Sequence, residues 1–381
     1  VSPTATPTPT STTTATPTPT ETMTPTPTPT PTPTKVPNII FVPADYETIQ
    51  EAIDAASVGS RIIVARGRYP ENINFKGKDV ILQSTRPGDP VTRDATVIDG
   101  TDSGPAIKFS GKESEKCILS GFTITEGKAN AGGGILSSNS KAVIQYTPIE
   151  YNTALQNGGG VYMHGGVIQY NIFENNMAQM SGGGAALTSG TIHNNLFRYN
   201  FAADRGGGLH SVKGPLYNNI IYQNIADTGG GVSFAFHEIK NCIIRQNIAD
   251  IHPNLYETTD PLYCCINSWS GEGTGNITEN PEFIDSGNGD FHLNETSPCI
   301  DAGDPAEEFN DACLPPGKGA DPCDMGIYGG PWNCGMLPLN KERLLSHILG
   351  IRPFSYEQTS RGDVNGDGII NAADIIRIQG E

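Results

Sequence analysis

The stretch "DVNGDGIINAAD" near the end of the chain places oxygen-bearing side chains at positions 1, 3, 5, 9 and 12 of a twelve-residue loop: Asp363, Asn365, Asp367, Asn371 and Asp374. Gly368 at position 6 permits the sharp turn such a loop needs, and Ile369 at position 7 offers its backbone carbonyl. An all-oxygen donor set of this size suits a hard cation, so Ca2+ is the expected ligand. A second constellation lies in "AADRGGGLHSVKG", which holds Asp204, Arg205, His210 and Lys213, with Asp227 following Asp204 by 23 residues. Two stacked carboxylates can hold a cation or raise each other's pKa. Arg, His or Lys beside them can neutralise an acidic sugar or remove a proton from it, the chemistry of a lyase or hydrolase of acidic polysaccharides. The same residues also fit a solvated corner of ordinary surface charges.

Whether these groups meet depends on a repeat. Triple glycines begin at Gly132, Gly158, Gly182, Gly206 and Gly229, in steps of 26, 24, 24 and 23. Asn152, Asn176, Asn200, Asn224 and Asn247 keep the same time, each followed two residues later by alanine. Short runs of β-branched and aromatic residues, such as "VIQYNIFEN" and "NCIIRQN", separate these markers and suit strands. A unit of that length with strands and no helix buries its apolar side chains only when copies stack. The expected fold is all-β, a right-handed parallel β-helix with about 24 residues per coil and coils about 4.8 Å apart. Asparagines one period apart then bond in a ladder, and the glycines serve an opposite corner. Asp227 stacks on Asp204, with Met180 and Gln156 below. His210 points outward over Ala186 and Tyr162, leaving a possible sugar-binding notch beside the small residue. Cys242 and Cys265 lie one coil apart, within reach of a disulfide, although a reduced buried pair fits equally.

Ahead of the coils, Ile49, Ala52, Ile53 and Ala56 fall on one helical face, and a helix there covers the open end of the stack. This helix with "IIVARGRYPENI" resembles the N-terminal cap of the pectin-lyase-like right-handed β-helix superfamily. "DFHLNETSPCIDAGDP" and "DMGIYGG", read as closing coils, resemble the terminal segment of secreted bacterial β-helix proteins. The alternation of "GGG" with "FENN" and "FRYN" is similar to the repeats of chlamydial polymorphic outer-membrane proteins, which are adhesins. The resemblance to the superfamily implies an outer-face groove for polysaccharide. The chain departs from its catalytic motifs: it lacks an RxPxxR-like arginine pair and the paired aspartates with GRxW. The terminal loop resembles a dockerin repeat, which implies a calcium-dependent partner of the cohesin type. "PLNKERLLSHILGI" aligns with "IINAADIIRIQGE" at an offset of 31, keeping the helical face of Leu344, Leu345, Ile348 and Leu349 without the calcium ligands of a first loop. Ala372 and Ala373 stand where dockerins often carry hydroxyls.

Composition bounds the rest. A net charge of -17 excludes a nucleic-acid backbone as partner, and no apolar run is long enough for a membrane span. The Thr/Pro-rich opening buries nothing and reads as an O-glycosylated stalk or a bare linker. Eight cysteines without zinc spacing favour disulfides or inert thiols. Three regions follow: 1–37 the stalk, 38–335 the β-helix with its cap, and 336–381 the dockerin-like module. The expected protein is extracellular or at the cell surface, binds polysaccharide, and is displayed or assembled through its calcium module. The alternatives are a polysaccharide lyase or hydrolase using Asp204, Arg205, His210, Lys213 and Asp227, and an adhesin or self-assembling fibre subunit.

Overall fold

The structure is a computed structural model that describes Val1 and residues 38–336. The expected stalk, the expected calcium loop at Asp363–Asp374 and the expected helical face of Leu344, Leu345, Ile348 and Leu349 therefore lie outside the described residues. What is described is an all-β right-handed parallel solenoid of about 9 turns with a period near 24 residues. Its strands form a broad sheet of 15 strands, a second sheet of 9 and a narrow sheet of 4, all paired in parallel.

The register follows the spacings of the markers. Phe173 pairs with Phe197 and Phe197 with Ile221, so like residues stack along the bore. The Phe173 and Phe197 rings lie 4.4 Å apart and nearly parallel inside it. Each ladder asparagine sits at the corner between the second and narrow sheets. Asn176 Nδ2 and its backbone N–H both donate to Oδ1 of Asn200, at 3.0 and 3.1 Å. The alanine two residues on points inward where the bore is narrowest, and Ala178, Ala202 and Ala226 form a buried cluster there. Glycine is required at the facing corner for two reasons. Gly182 has φ +72°, and a Cβ on Gly183 would lie 2.5 Å from the Gly207 carbonyl oxygen of the next coil. A second ladder, Asn171–Asn195–Asn219, satisfies the corner between the broad and second sheets.

The helix Ile49–Ala55 forms as its sequence suggests, with a capping box in which Thr48 and Glu51 exchange hydrogen bonds. Glu71 accepts from the backbone of Ile49 and Gln50, both at 2.9 Å, and satisfies further donors at the helix start. Ile49, Ala52 and Ile53 are buried in the same core as Ile40, Ile62 and Phe75.

Two expectations are corrected at the far end. Ile243 pairs with Cys265, so Cys242 stacks on Cys264, whose Sγ accepts its backbone N–H at 3.3 Å. That coil has 22 residues, and the one-residue difference turns Cys265 to the other face, where it hydrogen-bonds Cys299. The disulfide joins Cys313 and Cys334. The segment after the last coil also does not add closing coils. The antiparallel hairpin Phe283–Asp285 and Asp290–Leu293, with the chain beyond it, packs back over the outer face of the second sheet. There Phe291, Leu293, Met325 and Ile327 bury Leu196, Ile220 and Ile243, apolar residues that point outward and need a cover. This strap is tied down by corner side chains: Asn218 Nδ2 donates to Asp324 O, Asn194 Nδ2 to Ile327 O, and Tyr170 Oη to Trp332 O.

Candidate functional site

The glycine corner carries the charged groups. Asp204 N–H donates to Met180 O, Thr228 N–H to Asp204 O, and Asp250 N–H to Asp227 O. The stack Met180–Asp204–Asp227 is as read from the spacings, and Asp250 extends it to a third exposed carboxylate. Arg205 Nε lies 3.4 Å from Asp204 Oδ1. Among the described residues no group of three His, Cys, Asp or Glu could hold a metal ion, and this column forms an acidic edge.

His210 pairs in register with Ala186 below it and Ser233 above, and Ala186 with Tyr162. The small residues of this column are not open. Ala186 is 2% exposed and Ser233 fully covered, so the expected notch is closed. His210 Nδ1 bonds Ser233 Oγ at 2.9 Å. Burial, and then the nearby Arg205 charge, press its pKa down to about 4. The imidazole is therefore neutral at neutral pH and a weak proton acceptor for a general base. Lys213 is exposed a few residues further on.

What gathers around His210 and Arg205 is aromatic. The Phe234 ring lies 5.6 Å from His210, 6.1 Å from Phe236 and 5.7 Å from Tyr256, and His252 stands 5.7 Å from Tyr256. The Arg205 guanidinium sits over Phe234 at 5.4 Å. Phe236 is 57% exposed. The result is a ring-lined surface edged by Arg205 and the Asp204 column. Apolar rings beside a few polar groups suit the alternating faces and hydroxyls of a sugar. Sequence reasoning missed Phe234, Phe236, Tyr256 and His252. Tyr256 stood one period beyond Ser233 and was legible, but Phe234 occupies a turn at φ +57°, where strand alternation gives no direction.

A further charge ladder on the second sheet went unread. Glu150, Glu174 and Arg198 pair in succession, and Arg198 Nη2 holds Glu174 Oε2 at 2.8 Å. Burial first, and then the Glu174 charge, raise the pKa of Glu150.

No protein-family model matches the chain, and no curated protein does. The fold is the level at which the sequence resemblances and the structure meet. Among the described residues no helix is long and apolar enough to cross a membrane.

Proposed function

We propose that this chain is an extracellular, modular β-helix protein that binds polysaccharide through the Phe234 surface and is displayed or assembled through a calcium-stabilised C-terminal module. The observation that carries the binding half is the cluster of Phe234, Phe236, Tyr256 and His210 with Arg205 over the ring. Arg205 favours an acidic glycan, whose carboxylate it can meet in a bidentate geometry. The neutral, weakly basic His210 favours recognition over proton abstraction.

The calcium half rests on donor chemistry. Asp363, Asn365, Asp367, Asn371 and Asp374 with the Ile369 carbonyl would hold Ca2+, which supplies the charge that orders the loop and presents it to a cohesin-like partner. In this reading the loop is a handle, because chemistry on a glycan needs a surface and the surface is on the coils.

The test is affinity electrophoresis against a panel of uronate-containing and neutral polysaccharides, with ultraviolet absorbance followed for unsaturated products. Retardation by an acidic glycan that is lost in Phe234→Ala, without growth in absorbance, supports the reading. Growth in absorbance that needs Arg205 and His210 would make the surface a lyase site instead.

A further inference from the structure

Six cysteines stand outside the Cys313–Cys334 bond, all of them buried, and their surroundings sort them. Cys242 and Cys264 continue the second asparagine ladder. Asn219 Nδ2 donates to Ile192 O of the coil before and to Tyr217 O two residues back. Cys242 Sγ donates in the same way to Leu216 O and Lys240 O, and Cys264 Sγ to Ile239 O and Leu262 O. Each sulfur also accepts a backbone N–H, from Asn219 and from Cys242. A thiol fills that place because it both donates and accepts. A disulfide has no S–H, so joining these two would take their donors away from a buried corner. Cys117 and Cys323 are held back differently. Burial first, and then the charges of Glu113 and Asp79 around the one and of Asp311, Asp324 and Asp304 around the other, push both thiols up and suppress the thiolate.

Cys265 and Cys299 are the exception. Cys265 faces out from the last strand of the second sheet, and Cys299 belongs to the strap that covers it. Contacts on two sides bring them together. Cys265 Sγ lies 3.3 Å from Glu279 O, and Ser297 Oγ, which accepts the Cys299 N–H at 3.2 Å, donates to Pro281 O at 2.6 Å. Cys299 O accepts the Met325 N–H at 2.9 Å, and Met325 packs in the same cluster as Ile243, the register partner of Cys265. The two thiols hydrogen-bond each other. Arg245 Nη1 stands 3.5 Å from Cys265 Sγ. The bond from Cys299, and then the Arg245 charge, favour the Cys265 thiolate against its burial, while the same contact and burial keep Cys299 protonated. A thiolate beside a second thiol is the arrangement that exchanges with a disulfide.

We propose that Cys265 and Cys299 are joined by a disulfide in the mature protein, and that this bond latches the strap to the last coil. Both residues are fully covered once the strap is seated, so exchange takes place as it seats; Arg245 belongs to the coil and is already beside Cys265. The Cys265 thiolate attacks one sulfur of a low-molecular-weight disulfide and releases one thiol. Cys299 then loses its proton and attacks Cys265 Sγ, releasing the second. One external disulfide is thus reduced to two thiols as the protein pair is oxidised. The Cys313–Cys334 bond needs an oxidant of the same class, so the latch adds no new condition. It needs neither the glycan nor calcium.

The test is peptide mapping of the natural full chain folded in a buffer of oxidised and reduced glutathione, then denatured, alkylated and digested without reduction. A Cys265 peptide linked to a Cys299 peptide is expected, with Cys117, Cys242, Cys264 and Cys323 alkylated. Hydrogen exchange reads the latch itself. In Cys313→Ala/Cys334→Ala the proposed bond is the one disulfide left, so strap peptides around Cys299 and Met325 should exchange about tenfold faster in the reduced form of this variant than in its oxidised form. Alkylated Cys265 and Cys299 in the natural chain, or linkage of either to Cys242, Cys264 or Cys323, overturns the proposal. A Cys265–Cys299 bond whose reduction leaves strap exchange unchanged overturns the latch. The mapping uses only the natural chain, so it decides the pairing even where the variant fails to fold.

Discussion

Removing one rung from the asparagine ladder should cost far more than its size suggests. Asn200 is fully buried. Its Oδ1 accepts from Asn176 N–H and Nδ2 at 3.1 and 3.0 Å, and its Nδ2 donates to Phe173 O and Asn224 Oδ1, both at 2.9 Å. Asn200→Ala removes all four bonds, each worth about 1 kcal/mol net, and leaves the Asn176 N–H buried without its acceptor. Adding part of that desolvation penalty gives a loss of about 4–6 kcal/mol. Gln223→Ala one coil on is the control, since its amide makes an exposed bond to Gln246 and should cost less than about 0.5 kcal/mol. Urea unfolding followed by both fluorescence and circular dichroism is the assay, with coincident transitions required before a single free energy is assigned. A loss under about 1 kcal/mol, or one equal to that of Gln223→Ala, would refute the claim that the ladder bonds hold the corner.

Further outcomes are expected. Burial raises Asp311 to about 7, with the Asp324 and Asp301 charges adding to it, and raises Asp324 to about 6, with the Asp301 charge adding. A carboxyl raised in the folded state stabilises fully below its unfolded pKa near 4 and loses that contribution as pH rises through 6 to 7. After discounting for partial exposure, the stability difference between the natural chain and Asp311→Asn should therefore shift by about 2–4 kcal/mol against the natural chain between pH 4 and 7. His193, pressed down to about 4 by burial, works in the opposite sense. Its contribution is present above pH 6.5 and fades toward pH 4, so His193→Phe should show a steeper fall in stability from pH 4 to 7 than the natural chain in denaturant titrations. Asp367→Ala should abolish heat of calcium binding to the full chain in isothermal titration, and an unchanged isotherm would remove the terminal loop as the site. Phe234→Ala should weaken retardation by the glycan about tenfold, well beyond the modest fall in urea midpoint expected from trimming a partly buried ring.

The fold was legible because a stacked coil must repeat. Asn176 donates to its own image Asn200, and Gly183 N–H to Gly206 O of the next triplet, so a spacing in the chain is directly a contact in space. The site was legible only where strand alternation holds. It placed His210 over Ala186 and Asp227 on Asp204, but a column says which side chains are neighbours without saying how deeply each is buried, and so the notch at Ala186 was expected open. Phe234 escaped because a left-handed turn residue belongs to no face. Cys242 was matched to Cys265 because the period was carried unchanged into a coil one residue shorter. The strap was invisible for a deeper reason: it makes its contacts at separations of 106 and 133 residues, which no period encodes.

That strap changes how the molecule should answer to tension. A stack whose coils touch only their neighbours peels one coil at a time when pulled along its axis, each step resisted by a single interface. Here the chain from Asp304 to Cys334 is stitched across the coils of Asn241, Asn218, Asn194 and Tyr170, and the Cys313–Cys334 bond closes a loop within it. Pulling the last coil away must also strip the strap from the coils before it, so several interfaces yield together. A protein anchored at one end and gripping a polymer on its flank would then give way in one large event rather than by creeping extension.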